Sequence, residues 1–225
     1  MSVAELSSSA QNYVKIIWGL QEWSTADVTA TMIAERAGVR LSTVSDAVRR
    51  LADQGLVEHT RYGAVTLTDL GRSHALAMVR RHRLIEAFLV NVLGYGWDEV
   101  HDEAEELEHA VSDLMVTRID ELLGFPTRDP HGDPIPAADG TVTIPDAVQL
   151  SRREPTGQVV VERISDADPG LLQYFSDTGV LVGATLELSA GEAYSEAVGV
   201  RPEGRDEVSL GPAAADAVWV SPVSP

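Results

Sequence analysis

The sequence of 225 residues contains no cysteine, a single lysine and few basic residues of any kind. The absence of cysteine excludes disulfide bonds and metal sites built on thiolates. Seventeen Lys and Arg residues face 35 Asp and Glu residues, which gives a formal net charge of −18. Because affinity for phosphate depends on Lys and Arg, this excess of acid argues at first against a nucleic-acid partner.

Long hydrophobic runs are also missing, since the longest apolar stretches, such as residues 87–90, are far too short to cross a bilayer. Residues 1–10 are polar and show no basic-then-apolar signal pattern. We therefore expect a cytoplasmic protein without a membrane partner.

The acidic excess is unevenly distributed along the chain. Residues 1–90 hold ten Lys and Arg residues against nine Asp and Glu residues, whereas residues 91–225 hold seven Arg against 26 acidic residues. Such a difference between two parts of one chain indicates a division of function. The near-neutral first part is therefore able to meet DNA even though the whole chain is strongly acidic.

Three helices and a hairpin are predicted in the first 70 residues. Apolar residues at helical spacing predict helices over residues 10–22 and 30–37, the second ended by Gly38. A third helix is predicted in RLSTVSDAVRRLADQG, with Ser42 as its N-cap and Gly55 at its end. Two short strands joined by a glycine-containing turn follow. This order is typical of a winged helix-turn-helix, in which the third helix enters the major groove of DNA.

Polar side chains on this recognition helix and at the hairpin tip are the predicted DNA contacts. Residues near a helix N-terminus can reach base edges, and arginines can also hold phosphates. Asp46 could accept a hydrogen bond from a cytosine amino group or only pair with Arg50, and Arg61 is equally well explained as an exposed turn residue. The predicted set is Arg40, Ser42, Thr43, Asp46, Arg49, Arg50 and Arg61.

The rest of the chain is predicted to form a helical part and a strand part. Thr68 can cap a long helix through Leu93, and two more helices are predicted over residues 97–110 and 112–123, with Ser112 as the second N-cap. Five of the eleven prolines lie within residues 124–151, which predicts a linker. Short β-rich runs beyond it, GQVVVERI, VLVGATLEL, EVSL and AVWV, predict a small β-barrel.

Residues 101–109 and two residues upstream combine imidazoles with carboxylates. On a helix, His101, Glu105, Glu108 and His109 would point to one side, and His82 and Glu86 form another i, i+4 pair. An acidic helix is often only a solvated face. Here, however, closely spaced like charges without a nearby lysine repel one another, and a cation would relieve the repulsion. For His59, His74 and His131 we expect an exposed or structural role.

The donor atoms predict the class of metal. Carboxylate oxygens with imidazole suit Mn²⁺ and Fe²⁺, whereas softer metals favour sulfur ligands. The sequence therefore predicts Mn²⁺ first, with Fe²⁺ or Co²⁺ as possible substitutes.

Several motifs together resemble the diphtheria toxin repressor family of metal-dependent regulators, in particular its manganese-responsive, MntR-like branch. The resemblance runs along nearly the whole chain. The segments that carry it are NYVKIIWGL, STVSDAVRRLADQGLV, LTDLG, RRHRLIEAFL, VHDEAEELEHAVSD, PHGDPIP and LLQYFSDTGVLVGATLEL. The motif with two histidines around Asp-Glu-Ala, followed by Glu-His-x-x-Ser-Asp, is highly specific.

The resemblance implies two metal sites. The first would use Asn12, Glu105, Glu108 and His109, and the second would use His82, Glu86 and His101 with help from the C-terminal barrel, where only Asp168 is carried over. Iron-responsive members have Cys at the position of Glu105 and Met at that of Asn12, so the oxygen donors here are those expected for manganese. Some manganese-responsive members have Asp at the position of Asn12 and Glu at the position of Lys15. The lysine in this chain cannot bind metal as that glutamate would.

The resemblance also implies the architecture: a mainly α protein with a small β part. We expect a winged helix-turn-helix over residues 1–70, a helical metal-binding and dimerisation domain over 71–125, a linker over 126–151 and an SH3-like, FeoA-like domain over 152–225. The implied function is that of a Mn²⁺-activated homodimeric repressor that binds a palindromic operator in double-stranded DNA and controls metal homeostasis genes, such as those for manganese uptake.

Three alternatives remain at this point. One is an Fe²⁺-responsive repressor of the same family. Another is a winged-helix regulator that senses an organic ligand. The third is an enzyme with a carboxylate-bridged di-metal centre, but the ferritin-like form needs Glu-x-x-His on two helices, and only Glu106 with His109 fits.

Overall fold

The structure is a computed structural model and describes residues 5–59, 63–191 and 195–223. The chain forms two compact units, and the boundary between them falls inside one long helix. The first unit comprises Met1–His82 with Pro136–Thr141, and the second comprises Arg83–Ile135 with Val142–Pro225. Among the described residues, no helix is long and apolar enough to span a membrane.

The first unit begins with three helices whose ends follow local signals. They are α1 (Ser8–Glu22), α2 (Ala30–Ala37) and α3 (Leu41–Asp53). Ser7 caps α1 by accepting from the backbone of Ala10, and Gly38 ends α2 in the left-handed conformation that glycine adopts at low cost. The helix α3 begins at Leu41 with Arg40 as its N-cap, so the prediction of Ser42 as the N-cap is wrong. The three helices enclose a core that includes Val14, Ile17, Ile33, Val44, Val48 and Leu51.

A short hairpin follows, with β1 (Val57–His59) antiparallel to β2 (Val65–Leu67) and Val57 opposite Leu67. The next helix, α4 (Asp69–Phe88), is capped by Thr68 as predicted, because the Thr68 hydroxyl accepts from the backbone N–H of Gly71 at 3.0 Å. Its end continues as one π-helical turn, Leu89–Leu93. Three helices and a hairpin in this order are the predicted winged helix-turn-helix.

The second unit contains two further helices, α5 (Val100–Leu107) and α6 (Asp113–Leu122). Ser112 caps α6 as predicted, by accepting from Met115 N at 3.2 Å. The helix α5 is shorter than predicted: it ends at Leu107, and a tight turn over residues 108–110 precedes α6. A helical core in this unit contains Leu84, Ile85, Leu89, Val100, Ala104, Ile119 and Ile135.

A linker was expected over residues 126–151. Residues 126–147 consist of turns, bends and one isolated β-bridge between Arg128 and Pro134, whereas residues 148–151 form the short strand Val148–Gln149 and the start of a 3-10 turn. The middle part of this segment is buried rather than solvated. His131 is fully buried, and Asp129 and Asp133 are more than nine-tenths buried. The loop of residues 129–134 therefore contributes to the interior of the second unit.

The C-terminal part is a six-stranded antiparallel sheet with two short helices. Its strands are β3 (Val148–Gln149), β4 (Gly157–Ile164), β5 (Thr185–Ala190), β6 (Val198–Pro202), β7 (Val208–Leu210) and β8 (Val218–Pro222), in the order β3-β8-β4-β5-β6-β7. The helices are α7 (Pro169–Thr178) and α8 (Pro212–Asp216). Phe175 and Leu172 of α7 pack with Val161 of β4 and Leu186 of β5 in one core.

Candidate metal centre and nucleic-acid interface

The helix α3 presents a polar, exposed face. Its buried stripe consists of Val44, Ala47, Val48 and Leu51. Six of the seven predicted DNA contacts lie exposed on this helix or at its start, namely Arg40, Ser42, Thr43, Asp46, Arg49 and Arg50. The seventh, Arg61, lies outside the described residues. None of these six side chains packs in the core, so all six are available for contacts with a partner.

One ion pair is present on this face. Asp46 Oδ1 lies 3.4 Å from Arg49 Nη1, whereas the sequence suggested Arg50 as the partner. Both side chains are largely exposed, so the pair contributes little to stability. Asp46 can therefore exchange Arg49 for another hydrogen-bond donor at small cost.

Asn12 lies half-buried on α1. Its Oδ1 atom is buried, and no hydrogen-bond donor reaches it among the residues that the structure describes. Buried side-chain oxygens nearly always have a partner, and an exception calls for an explanation such as an absent water or ion. An amide oxygen in this position suits a hard divalent cation.

Glu105, Glu108 and His109 follow one another at the end of α5. Glu108 is the C-cap residue and is fully buried, and its Oε1 lies 3.5 Å from His109 Nε2. Glu105 is half-exposed, and its Oε1 lies 3.7 Å from His101 Nε2. Burial of a carboxylate is costly unless positive charge is close, so this position favours a cation.

A second cluster forms around His101. Its Nδ1 atom lies 3.2 Å from Glu86 Oε1 on α4 and 3.2 Å from Asp166 Oδ2, which follows β4. Burial lowers the pKa of His101, but hydrogen bonds and charge from Asp166 and Glu86 outweigh it and raise that pKa to about 10. The two carboxylates thus strongly favour a positive charge at this position.

His131 joins the same cluster, although the sequence suggested only an exposed or structural role for it. Its Nε2 lies 2.7 Å from the carbonyl oxygen of Trp97, and the two rings stack with centroids 5.7 Å apart. Since a carbonyl can only accept, Nε2 carries the proton and a neutral ring keeps its lone pair on Nδ1. This Nδ1 is buried and has no hydrogen-bond donor or acceptor among the described residues. Metal-binding histidines commonly donate their other N–H to a backbone carbonyl in this way.

Three ligand atoms, one each from Glu86, His131 and Asp166, lie within 4.8 Å of one another. Glu86 and His131 are almost fully buried, at 1% and 0% exposure. Asp166 and His131 were not among the ligands predicted from the sequence, although His131 lies in PHGDPIP, a segment that carried the resemblance, and Asp166 lies two residues before the predicted Asp168. The donor set of carboxylates and imidazole fits a divalent cation such as Mn²⁺ or Fe²⁺.

His82 and Asp168 complete the predicted ligand set. His82 is buried on α4, one helical turn before Glu86. Asp168 is the N-cap residue of α7, and its Oδ1 accepts from Leu171 N at 3.1 Å. Asp168 thus has a structural task, whereas Asp166, two residues earlier, faces His101.

Comparisons with known proteins match all three parts of the chain. Residues 5–65 match "Iron dependent repressor, N-terminal DNA binding domain", residues 68–137 match "Iron dependent repressor, metal binding and dimerisation domain", and residues 148–222 match "FeoA domain". These matches confirm the predicted order of a DNA-binding domain, a helical domain and an SH3-like β domain.

Individual relatives are similar over nearly their whole length. The chain is 32% identical to the iron-dependent repressor IdeR of Mycobacterium leprae (strain TN) over 232 residues, which covers 97% of this chain and 99% of that protein. A solved structure of a manganese-dependent transcriptional repressor in complex with manganese is 55% identical, with a TM-score of 0.89 and coverage of 94% and 99%. A structure of ScaR with bound Zn²⁺ is 32% identical, with a TM-score of 0.80 and coverage of 95% and 99%.

These matches agree with the exposed face of α3 and with the buried carboxylate and imidazole donors. The chain therefore belongs to the iron-dependent repressor family that includes the diphtheria toxin repressor, and it is a metal-dependent DNA-binding transcriptional repressor rather than an enzyme.

Proposed function

We propose that the protein is a Mn²⁺-activated homodimeric repressor that binds a palindromic operator and controls metal homeostasis genes, such as those for manganese uptake. The observation that carries this proposal is the buried donor set without sulfur, in which a ring nitrogen of His131 lies within 4.8 Å of carboxylate oxygens of Glu86 and Asp166. Hard oxygen donors with imidazole favour Mn²⁺ over softer ions. The solved manganese-dependent repressor at 55% identity supports the same ion.

The first metal site in this proposal uses Asn12, Glu105, Glu108 and His109. Two observations support it: the buried oxygen of Asn12 receives no hydrogen bond from the part of the chain that the structure describes, and Glu108 is fully buried. Glu105 adds a carboxylate oxygen to this site, a hard donor that suits Mn²⁺ better than softer ions.

The second metal site in this proposal uses Glu86, His101 and His82, as the resemblance implies, and adds His131 and Asp166. The distances around His101 and the spacing of the Glu86, His131 and Asp166 donor atoms support this set. In this assignment Asp168 stays the cap of α7.

Metal activation requires different metal affinity in two states of the protein. A bound divalent cation supplies positive charge among carboxylates that otherwise repel one another. The proposal therefore requires that the ion bind the DNA-binding arrangement of the chain more tightly than the inactive arrangement. A tenfold preference of the ion for that arrangement is worth about 1.4 kcal/mol per site.

A homodimer is supported by exposed apolar side chains on and beside α6. Leu122 and Phe125 are 64% and 66% exposed, and Leu114 and Met115 are also exposed. Phe125, which lies three residues beyond the end of α6, has in addition a left-handed backbone, with φ of 60°. Large contiguous apolar patches usually mark interfaces. In a dimer, two α3 helices would meet successive major grooves of a palindrome.

Operator binding as a function of metal tests the proposal. A gel-shift titration with Mn²⁺, Fe²⁺ and Co²⁺ should give the tightest DNA binding with Mn²⁺. Glu108→Ala combined with His109→Ala should abolish the metal response. Glu106→Ala, an exposed glutamate on the same helix, is the matched control and should leave the response unchanged.

Three results of this titration would contradict different parts of the proposal. DNA binding by the double variant at the parental level with Mn²⁺ would refute the first-site assignment. A stronger response to Fe²⁺ than to Mn²⁺ would assign the protein to iron, which the names of its mycobacterial relatives suggest. Metal-independent DNA binding would favour a regulator that senses an organic ligand.

A further inference from the structure

A buried ion-pair network joins the loop of residues 129–134 to the helical and β parts of the second unit. Asp133 Oδ1 lies 2.7 Å from Arg163 Nε on β4 and 3.4 Å from Arg83 Nη2 on α4. Arg83 Nη1 also donates to the carbonyl oxygen of Pro134 at 2.7 Å. All three charged side chains of this network are at most 11% exposed. One carboxylate therefore bridges two arginines that are 80 positions apart.

The main chain of the loop is held against the same strand. The backbone N–H of Ile164 donates to the carbonyl oxygen of His131 at 2.9 Å. A Cβ atom at Gly132 would lie 2.1 Å from the carbonyl oxygen of Glu162, so the close approach requires glycine. Side-chain and main-chain contacts thus fix the loop to the end of β4.

Arg163 contacts two elements of the second unit. Its guanidinium lies 4.2 Å from the ring centroid of Trp219 on β8, and its Nε donates to Asp133 Oδ1 in the loop of residues 129–134. Asp166 follows only three residues later, and between them Ser165 N donates to Ala217 O at 2.8 Å. The position of Asp166 relative to His101 therefore depends on where the end of β4 is fixed.

We propose that Arg163 and Asp133 are positioning residues for the second metal site, because their ion pair fixes the end of β4 so that Asp166 faces His101 and Glu86. The inference rests on the proposed function, since it takes Asp166 as a ligand. A well-packed apolar pair could stabilise the fold equally well, so the ion pair serves to select one position of the strand. Such outer partners of ligands commonly change metal affinity about 10–100-fold when they are removed.

The test is a Mn²⁺ titration of the full chain by calorimetry, with folding checked by circular dichroism. Arg163→Met keeps an unbranched apolar stem and removes the charged guanidinium group, and it should weaken the second site about tenfold or more while the first site keeps the parental affinity. The matched control is Arg201→Met on β6, where the arginine pairs with Glu187 and Glu207 at an exposed position. This control should leave both sites unchanged.

A double variant separates positioning from general destabilisation. Asp166→Asn should weaken the second site, and adding Arg163→Met to it should cause no further loss, because Arg163 acts through Asp166. Additive losses would overturn the proposal, as would a folded Arg163→Met variant with parental affinity at both sites. If Arg163→Met fails to fold, Asp133→Asn replaces it, and unchanged second-site affinity in that variant would likewise overturn the proposal.

The same titration distinguishes failure of the proposed second metal site from failure of the positioning role of Arg163. If Asp166→Asn binds Mn²⁺ like the parent, Asp166 is not a ligand and the proposed second site fails. If Asp166→Asn binds weakly and Arg163→Met does not, only the positioning role fails.

Discussion

Replacement of Gly132 by alanine should destabilise the second unit far more than the same change at another glycine of equal backbone conformation. Gly132 has φ of 88°, and a Cβ atom there would lie 2.1 Å from Glu162 O. Since Cβ contacts under 3.0 Å are essentially never seen, the loop must move away from β4 by roughly 0.9 Å. That movement would lengthen the Ile164–His131 backbone hydrogen bond beyond its normal range.

The magnitude follows from three contributions. A left-handed backbone costs an alanine about 1–2 kcal/mol. Loss of the backbone hydrogen bond costs about 1 kcal/mol, and loosening of the buried Asp133–Arg163 pair adds roughly 1 kcal/mol. The expected total is about 3–4 kcal/mol, which lowers the Tm by about 10–14 °C for a unit of roughly 140 residues.

Gly183 is the matched control. It has φ of 84°, but nothing lies within 4 Å of a Cβ atom there. Gly183→Ala should therefore show only the backbone cost of about 1–2 kcal/mol. Thermal unfolding of both variants with a chelator present measures the difference without the stabilisation that bound metal adds. Equal Tm values for the two variants would refute the close packing of the loop on β4.

Three further predictions concern other positions. Thr68→Ala should destabilise the first unit by about 1 kcal/mol in urea unfolding, because it removes the cap of α4 and a hydrogen bond from Thr68 to Gly55 O, whereas Thr68→Ser should be nearly neutral. Burial lowers the pKa of His74 below its ordinary value of 6.5, so the unfolded chain binds the proton more readily and stability should be lost as the pH falls below about 6.5. His74→Gln should flatten that dependence, as measured by denaturant unfolding across pH. Glu105→Cys should raise the operator-binding response to Fe²⁺ or Co²⁺ relative to Mn²⁺ in gel shifts, because a thiolate is a softer ligand.

Each of these predictions has a contrary outcome. Equal stability of Thr68→Ala and Thr68→Ser would remove the cap as the cause. A pH dependence that survives in His74→Gln would assign it to other groups. An unchanged ranking of metals in Glu105→Cys would show that ligand softness does not select the ion.

Helix ends were predictable where a single residue provides the signal. Gly38, Thr68 and Ser112 all end or cap helices as expected, because each satisfies backbone groups within its own turn. The start of α3 was placed wrongly because Ser42, a good capping residue, lies inside the first turn and Arg40 takes the cap position without a side-chain bond. A sequence pattern cannot tell which of two neighbouring residues begins the turn.

The β domain was predicted in part. The bounds of β4 agree with the run GQVVVERI, but the run VLVGATLEL yields a strand only from Thr185 onward. The helix α7 was missed, although Asp168 before Pro169 is a helix-start signal and Leu172 and Phe175 are at helical spacing. The β-rich runs on both sides of this segment favoured strands over the helix that Asp168 and Pro169 indicate.

The cluster of Glu86, His131 and Asp166 could not be derived from spacing. These residues are separated by 35 positions or more, and only the tertiary contacts of the loop of residues 129–134 bring them together. The tautomer of His131 depends on a carbonyl of Trp97, which no sequence pattern indicates. The residue types in the sequence predicted carboxylate and imidazole donors, but only the tertiary structure shows which of these side chains lie close together.

The modest charge of the α3 face has a consequence for how the repressor searches a genome. Three arginines on or beside α3, at positions 40, 49 and 50, are exposed, and Asp46 partly neutralises one of them. Each phosphate contact adds about −0.9 to the slope of log K for DNA binding against the logarithm of the salt concentration. The three arginines therefore contribute a slope of at most roughly −3 per chain. Weak attraction to arbitrary DNA leaves few molecules trapped on unrelated sites. Occupancy of the operator then depends mainly on base contacts and on metal supply.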